Sequence, residues 1–166
     1  MMIRSDIIVE FQEGWDIIQN GIRNLIEILI TDRKDEFPAS EYVNIYTTVY
    51  RMCTQQRSHC YAEQLYDKYR DSLEEYIVRT VLPALGKVHD EIMLRELEKH
   101  WDLHKVIVQF MSCMFSYLDH YFVEKRSIAS LTAVGIMCFR DLVYHGIHNN
   151  VKNVVIDLIN REREGE

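Results

Sequence analysis

The chain has 166 residues, 48% of them apolar, and carries 26 acidic against 19 basic side chains for a formal charge of −7. That length suits a single hydrophobic core, and the acidic balance argues against nucleic acid as a partner, since phosphate binding needs clustered lysine and arginine. Two prolines and six glycines are too few to punctuate an all-β fold and favour helices.

Residues 1–6 (MMIRSD) lack an apolar leader block and a small-residue cleavage site, and no apolar run approaches the ~20 residues that span a bilayer. The sequence therefore predicts an intracellular protein without a membrane partner. The first helix is expected over 8–30, because Phe11, Trp15, Ile18, Ile22, Leu25 and Leu29 recur at steps of four and three and share one stripe. The polar stretch from Thr31 to Glu36 breaks that pattern. Pro38-Ala39-Ser40 then supplies a loop and a serine N-cap for a second helix over 41–55.

Gln55 to His59 reads as a connection, after which Tyr61, Leu65, Tyr69, Leu73 and Tyr76 set a third stripe. Glu75 and Arg79 on its surface are spaced for an ion pair. Pro83 and Gly86 place a kink or helix end between them, with Gly86 as a left-handed stop. No glycine or proline occurs from Lys87 to Lys125, and one helix of that length would measure about 60 Å. A break is expected near Trp101-Asp102 with the aspartate as cap, giving helices over 88–101 and 103–125. Two more are expected over 128–145 and 148–163, separated around Gly146. Short connections make consecutive antiparallel neighbours the simplest all-α architecture.

Two helices carry more apolar surface than one contact needs. On the second, Tyr42, Val43, Ile45, Tyr46, Val49, Tyr50, Met52 and Cys53 fill about half the circumference, whereas a helix lying on a single neighbour needs only ~100°. The fifth shows the same excess, with a polar strip of Gln109, Ser112, Ser116, Asp119 and His120. A broad arc is most often the mark of a central bundle helix. Tyrosine at i, i+4 and i+8 shifts the balance toward an interface, where the ring is covered while the hydroxyl stays near water.

Candidates for chemistry are sparse. Glu96, His100 and His104 share one helical face and form the alternative reading, a metal-dependent helical enzyme, on spacing alone. Cys60 beside His59 lacks a nucleophile turn or an orienting third group, and no glycine-rich phosphate loop or serine elbow occurs. Cys53, Cys60, Cys113 and Cys138 form no Cys-x-x-Cys pair and read as buried, reduced thiols. The expectation is a non-catalytic chain with no cofactor.

The segment YVNIYTTVYRMCT (42–54), with QLYDKYRDSLEEYI (64–77), TVLPAL (80–85), HDEIMLRELEKHW (89–101), SYLDHYFV (116–123) and FRDLVY (139–144) in the same order, resembles the N-terminal region of a cullin. The likeness is strongest to plant members of the class serving Skp–cullin–F-box ubiquitin ligases. It implies cullin-repeat helical bundles stacked into a stalk, with a first, adaptor-binding repeat over 8–126 and the start of a second over 127–166. It also implies a cytoplasmic and nuclear scaffold whose second and fifth helices grip a Skp-family adaptor that carries an F-box protein. By position the contacts are Tyr42, Val43, Tyr46, Thr47 and Tyr50, then Tyr117, His120 and Tyr121, with Ile45, Val49 and Met52 left for the core. The family's RING-binding and lysine-modified region has no counterpart in these residues, so no RING subunit is expected, and the chain is expected to compete with a full scaffold. Apolar surface is further expected near Ile136, Val154 and Leu158, favouring self-association.

Overall fold

The computed structural model describes residues 7–33, 37–56, 58 and 60–165. The leader reading of 1–6, the end of the polar connection at 34–36, and His59 lie outside the described residues. The elements in order are α1 (Phe11–Ile30), α2 (Ala39–Thr54), α3 (Ala62–Tyr76), α4 (Leu82–Gly86), α5 (Asp90–Met114), α6 (Glu124–Arg126) and α7 (Leu131–Arg163). A π turn, Ile77–Val81, joins α3 to α4, and a second, Leu118–Val123, leads into α6. No strand occurs among the described residues.

The predicted stripes become the core. Trp15, Ile18, Ile22 and Leu25 of α1 are buried with Ile45, Val49 and Met52 of α2 and Leu65, Tyr69 and Leu73 of α3, each aliphatic side chain contributing about 1.5–3 kcal/mol. The first two helices run antiparallel at close range. Met52 fills the space a Cβ on Gly14 would need, and Ile45, seven residues back, does the same at Gly21. Glu75 and Arg79 form the expected ion pair at 2.9 Å.

Several expected boundaries move. The second helix begins at Ala39, and its first turn is anchored by the Pro38 carbonyl, which accepts from Glu41 and Tyr42 at 3.0 and 3.1 Å. Ser40 lies inside the helix and is not its cap. Pro83 does not end the third helical rod, because the π turn before it inserts one extra residue. The Leu82 amide bonds back five residues to the Ile77 carbonyl, so the missing Pro83 donor disturbs no regular ladder. Gly86 ends α4 without entering the left-handed region, which is taken instead by Asp90 (φ 56).

The expected break at Trp101-Asp102 is absent, and α5 passes straight through it. Asp102 pairs with Lys105 at 2.9 Å on the surface, while Trp101 and His104 pack on Phe139 with ring centroids 5.2 and 4.8 Å apart, tying this turn to α7. The break falls at Phe115, whose buried ring turns onto Tyr69 at 5.4 Å. Likewise α7 is continuous through Gly146. That glycine accommodates a neighbour rather than separating helices, since a Cβ there would stand 3.0 Å from Leu82 Cδ2.

Two further expectations need correction. Cys53 and Cys138 are buried, but Cys60 and Cys113 are exposed, because they fall outside the core-facing arcs of their segments. On α7 apolar surface does lie open near the expected positions, at Ile136, Met137, Val155, Ile156 and Ile159, and the correction concerns Val154 alone, which belongs to the buried set.

Candidate functional site

The outward edge of α2 stays uncovered after the core is built. Ile45, Val49 and Met52 turn inward, which by helical geometry points Val43, Tyr46, Thr47 and Tyr50 away from it. Val43 is 57% exposed, Tyr46 38% and Tyr50 46%, and Thr47 is open to solvent as well. Tyr42 sits at the margin, half-buried against the core, and burial is the main reason its phenol is raised above the ordinary value.

The second part of the edge comes from Tyr117 and the π turn that follows it, Leu118–Val123. Tyr50 meets Tyr117 edge to face at 5.1 Å, with the ring planes at 87°, and Tyr117 stacks on Tyr121 at 4.5 Å and 26°. Three rings from two elements therefore form one ladder, each contact contributing about 0.5–1.5 kcal/mol. Tyr117 is half-buried in the middle, its phenol raised by burial first and by neighbours that include Cys53 and Tyr50. Tyr121 at the end is 54% exposed, and His120 beside it is exposed. Of the eight predicted contact residues, Tyr50, Tyr117 and Tyr121 are brought together; Tyr42, Val43, Tyr46 and Thr47 share their helix with Tyr50, and His120 adjoins Tyr121.

One supporting role escaped the sequence reading, which had Asp119 only as part of a polar strip. Asp119, on the π turn, accepts the Leu131 amide at 2.9 Å, and Ser130 caps the same helix by accepting from Ala133 at 3.1 Å. The hydroxyls of Tyr66 and Tyr69 donate to the carbonyls of Ala129 and Leu131 at 2.8 and 3.0 Å. The turn bearing Tyr121 is thus tied to the start of α7. Ser130 ahead of an apolar run was the available signal for a cap, but nothing in the spacing disclosed that Asp119 would share it.

The alternative metal reading fails on geometry. His104 is wholly buried and donates from Nε2 to the Gly135 carbonyl at 2.8 Å, while His100 lies 3.8 Å from Glu96 near the surface. Among the described residues no group of three His, Cys, Asp or Glu side chains is placed to hold a metal ion. No single helix among them is long and apolar enough to cross a membrane.

Helices laid side by side around a continuous core, with one tyrosine-rich edge left open, define an α-solenoid module. A family model described as the Cullin alpha solenoid domain matches residues 15–166. The chain belongs to the cullin family. It is 51% identical over 158 residues to Cullin-1 of Oryza sativa subsp. japonica, an alignment covering 95% of this chain and 21% of that protein. It is 47% identical over 160 residues to Putative cullin-like protein 2 of Arabidopsis thaliana, covering 95% and 42%, and 21% identical over 179 residues to Cullin-1 of Dictyostelium discoideum, covering 95% and 23%. The chain spans only about a fifth to two fifths of the length of these relatives.

Proposed function

We propose that the chain is the adaptor-docking part of a cullin-type ubiquitin-ligase scaffold, non-catalytic in itself, which holds a Skp-family adaptor carrying an F-box protein. Docking uses Tyr42, Val43, Tyr46, Thr47 and Tyr50 of α2 with Tyr117, just ahead of the second π turn, and His120 and Tyr121 within it. The observation that carries this reading is the Tyr50–Tyr117–Tyr121 ladder, left open to solvent along an edge whose opposite side is fully packed. Rings restrained by one another lose little entropy when covered, and their hydroxyls stay near the wet rim of an interface. A surface of ~800 Å² per partner suffices for specific binding.

On this reading 8–126 make the first repeat and 127–166 begin the second, and the protein works in the cytoplasm and nucleus. The 166 residues expressed by themselves take up adaptor without a RING subunit and compete with a longer scaffold for it. The test is a calorimetric titration of a Skp-family adaptor with the chain and with a Tyr46→Ala, Tyr121→Ala variant. Both rings are exposed, so the variant keeps its fold. Loss of two anchors should cost at least about 2 kcal/mol, roughly thirtyfold in Kd; an unchanged Kd refutes the assignment.

A further inference from the structure

Cys53 and Cys60 lie at the junction between the end of α2 and the start of α3. Two hydrogen bonds hold that junction closed. The Tyr61 amide donates to the Met52 carbonyl at 2.9 Å, and the Cys60 thiol donates to the Cys53 carbonyl at 3.1 Å. Each bond joins a residue at or next to Cys60 with one at or next to Cys53, so the backbones that carry the two sulfurs are hydrogen-bonded neighbours.

The two thiols differ in environment. Cys60 is exposed, whereas Cys53 is packed in the core. Burial, with Cys60 as a charged neighbour, pushes the Cys53 thiol up to about 12. An oxidant therefore reaches Cys60 first, and Cys53 is the thiol carried by the backbone to which Cys60 is hydrogen-bonded.

The geometry points to Cys60 and Cys53 as a redox pair, which hydrogen peroxide converts into an intramolecular disulfide that fastens the end of the tyrosine-bearing helix α2 to the start of α3. In the first step the Cys60 sulfur attacks one peroxide oxygen and the O–O bond breaks, giving a sulfenic acid and one water. In the second the Cys53 sulfur attacks the Cys60 sulfur; the S–O bond breaks, and the departing hydroxide takes the Cys53 proton to leave a second water. The two cysteines lose two electrons, and the peroxide gains them. Tyr117 has both thiols as electrostatic neighbours, which sets the pair at the foot of the tyrosine ladder. The pairing itself does not depend on the adaptor reading.

The test uses the reduced 166-residue chain, treated with hydrogen peroxide, quenched with iodoacetamide in denaturant and digested with trypsin without reduction. Cleavage after Arg57 separates the two cysteines, so the disulfide appears as peptides 52–57 and 58–68 joined, with the mass lowered by two hydrogens and restored by dithiothreitol. Cys60→Ser, a surface change that leaves the fold intact, should abolish the linked pair and leave Cys53 fully alkylated. The inference is overturned if wild-type Cys60 ends as a sulfinic acid while Cys53 remains alkylated. It is equally overturned if Cys60 links instead to Cys113 or to a second copy of the chain.

Discussion

Replacing His104 with phenylalanine should remove a component of acid sensitivity from the fold while leaving its stability near neutrality almost unchanged. The imidazole lies between Tyr76, Trp101 and Phe139, so a phenyl ring of similar shape fits the same slot. The substitution loses the 2.8 Å bond to the Gly135 carbonyl but also removes Nδ1, a buried acceptor without a partner. These changes oppose each other and should leave a net effect within about 1 kcal/mol. Burial holds His104 below its ordinary pKa of 6.5, with the Gly135 bond opposing the shift. As pH falls below 6.5 the unfolded chain takes up a proton that the folded chain resists, so stability drops with acid and is fully present above that value. Between pH 7.5 and 5.5 the loss amounts to at most about 1.4 kcal/mol, the limit when the folded histidine stays neutral throughout. Urea unfolding followed by tryptophan fluorescence at both pH values measures it. His100, whose pKa is also lowered by burial, is present in both proteins and cancels. Identical acid destabilisation of wild type and His104→Phe would refute the argument.

Gly135→Ala should destabilise the chain by about 1–3 kcal/mol, because the added Cβ would fall 2.6 Å from Val108 Cγ2; the thermal midpoint should drop by several degrees, as read by circular dichroism. Asp119→Ala strands the Leu131 amide and should cost about 0.5–2 kcal/mol. In Asp119→Asn the side-chain oxygen can still accept, so urea midpoints should place that variant between wild type and alanine.

Much of the molecule was legible because periodicity reports burial. The stripes through Trp15, Ile18 and Ile22 and through Leu65, Tyr69 and Leu73 needed only the spacing of apolar side chains. On α2 the same projection gave only a broad apolar arc; its division into an inward Ile45–Val49–Met52 row and an outward tyrosine edge was implied by the resemblance to the cullins, and burial follows that division. Helix ends were harder, because tertiary contacts decide them. Trp101 and His104 hold α5 continuous by packing on Phe139, more than thirty residues away in sequence, and Gly146 reads as punctuation until Leu82 is seen against it. The π turns went unread, although the buried positions Leu65, Tyr69, Leu73, Ile77, Val81 and Leu85 recur at a steady four, longer than the 3.6 of an α-helix and accommodated by an extra residue in the rod. One of these turns helps to set the tyrosine edge, so its residues could be named while their contacts, including the tie through Asp119, could not.

The continuous course of α7 has a mechanical consequence. Its 33 residues make a stiff strut about 50 Å long, fixed at its start through Asp119 and Ser130, along its middle by Trp101 and His104 against Phe139, and near its far end by Arg161 beside Glu91 at 3.5 Å. A rod braced at three places cannot swing about any one of them, so the bearing of its far tip is inherited from α5 along its whole run.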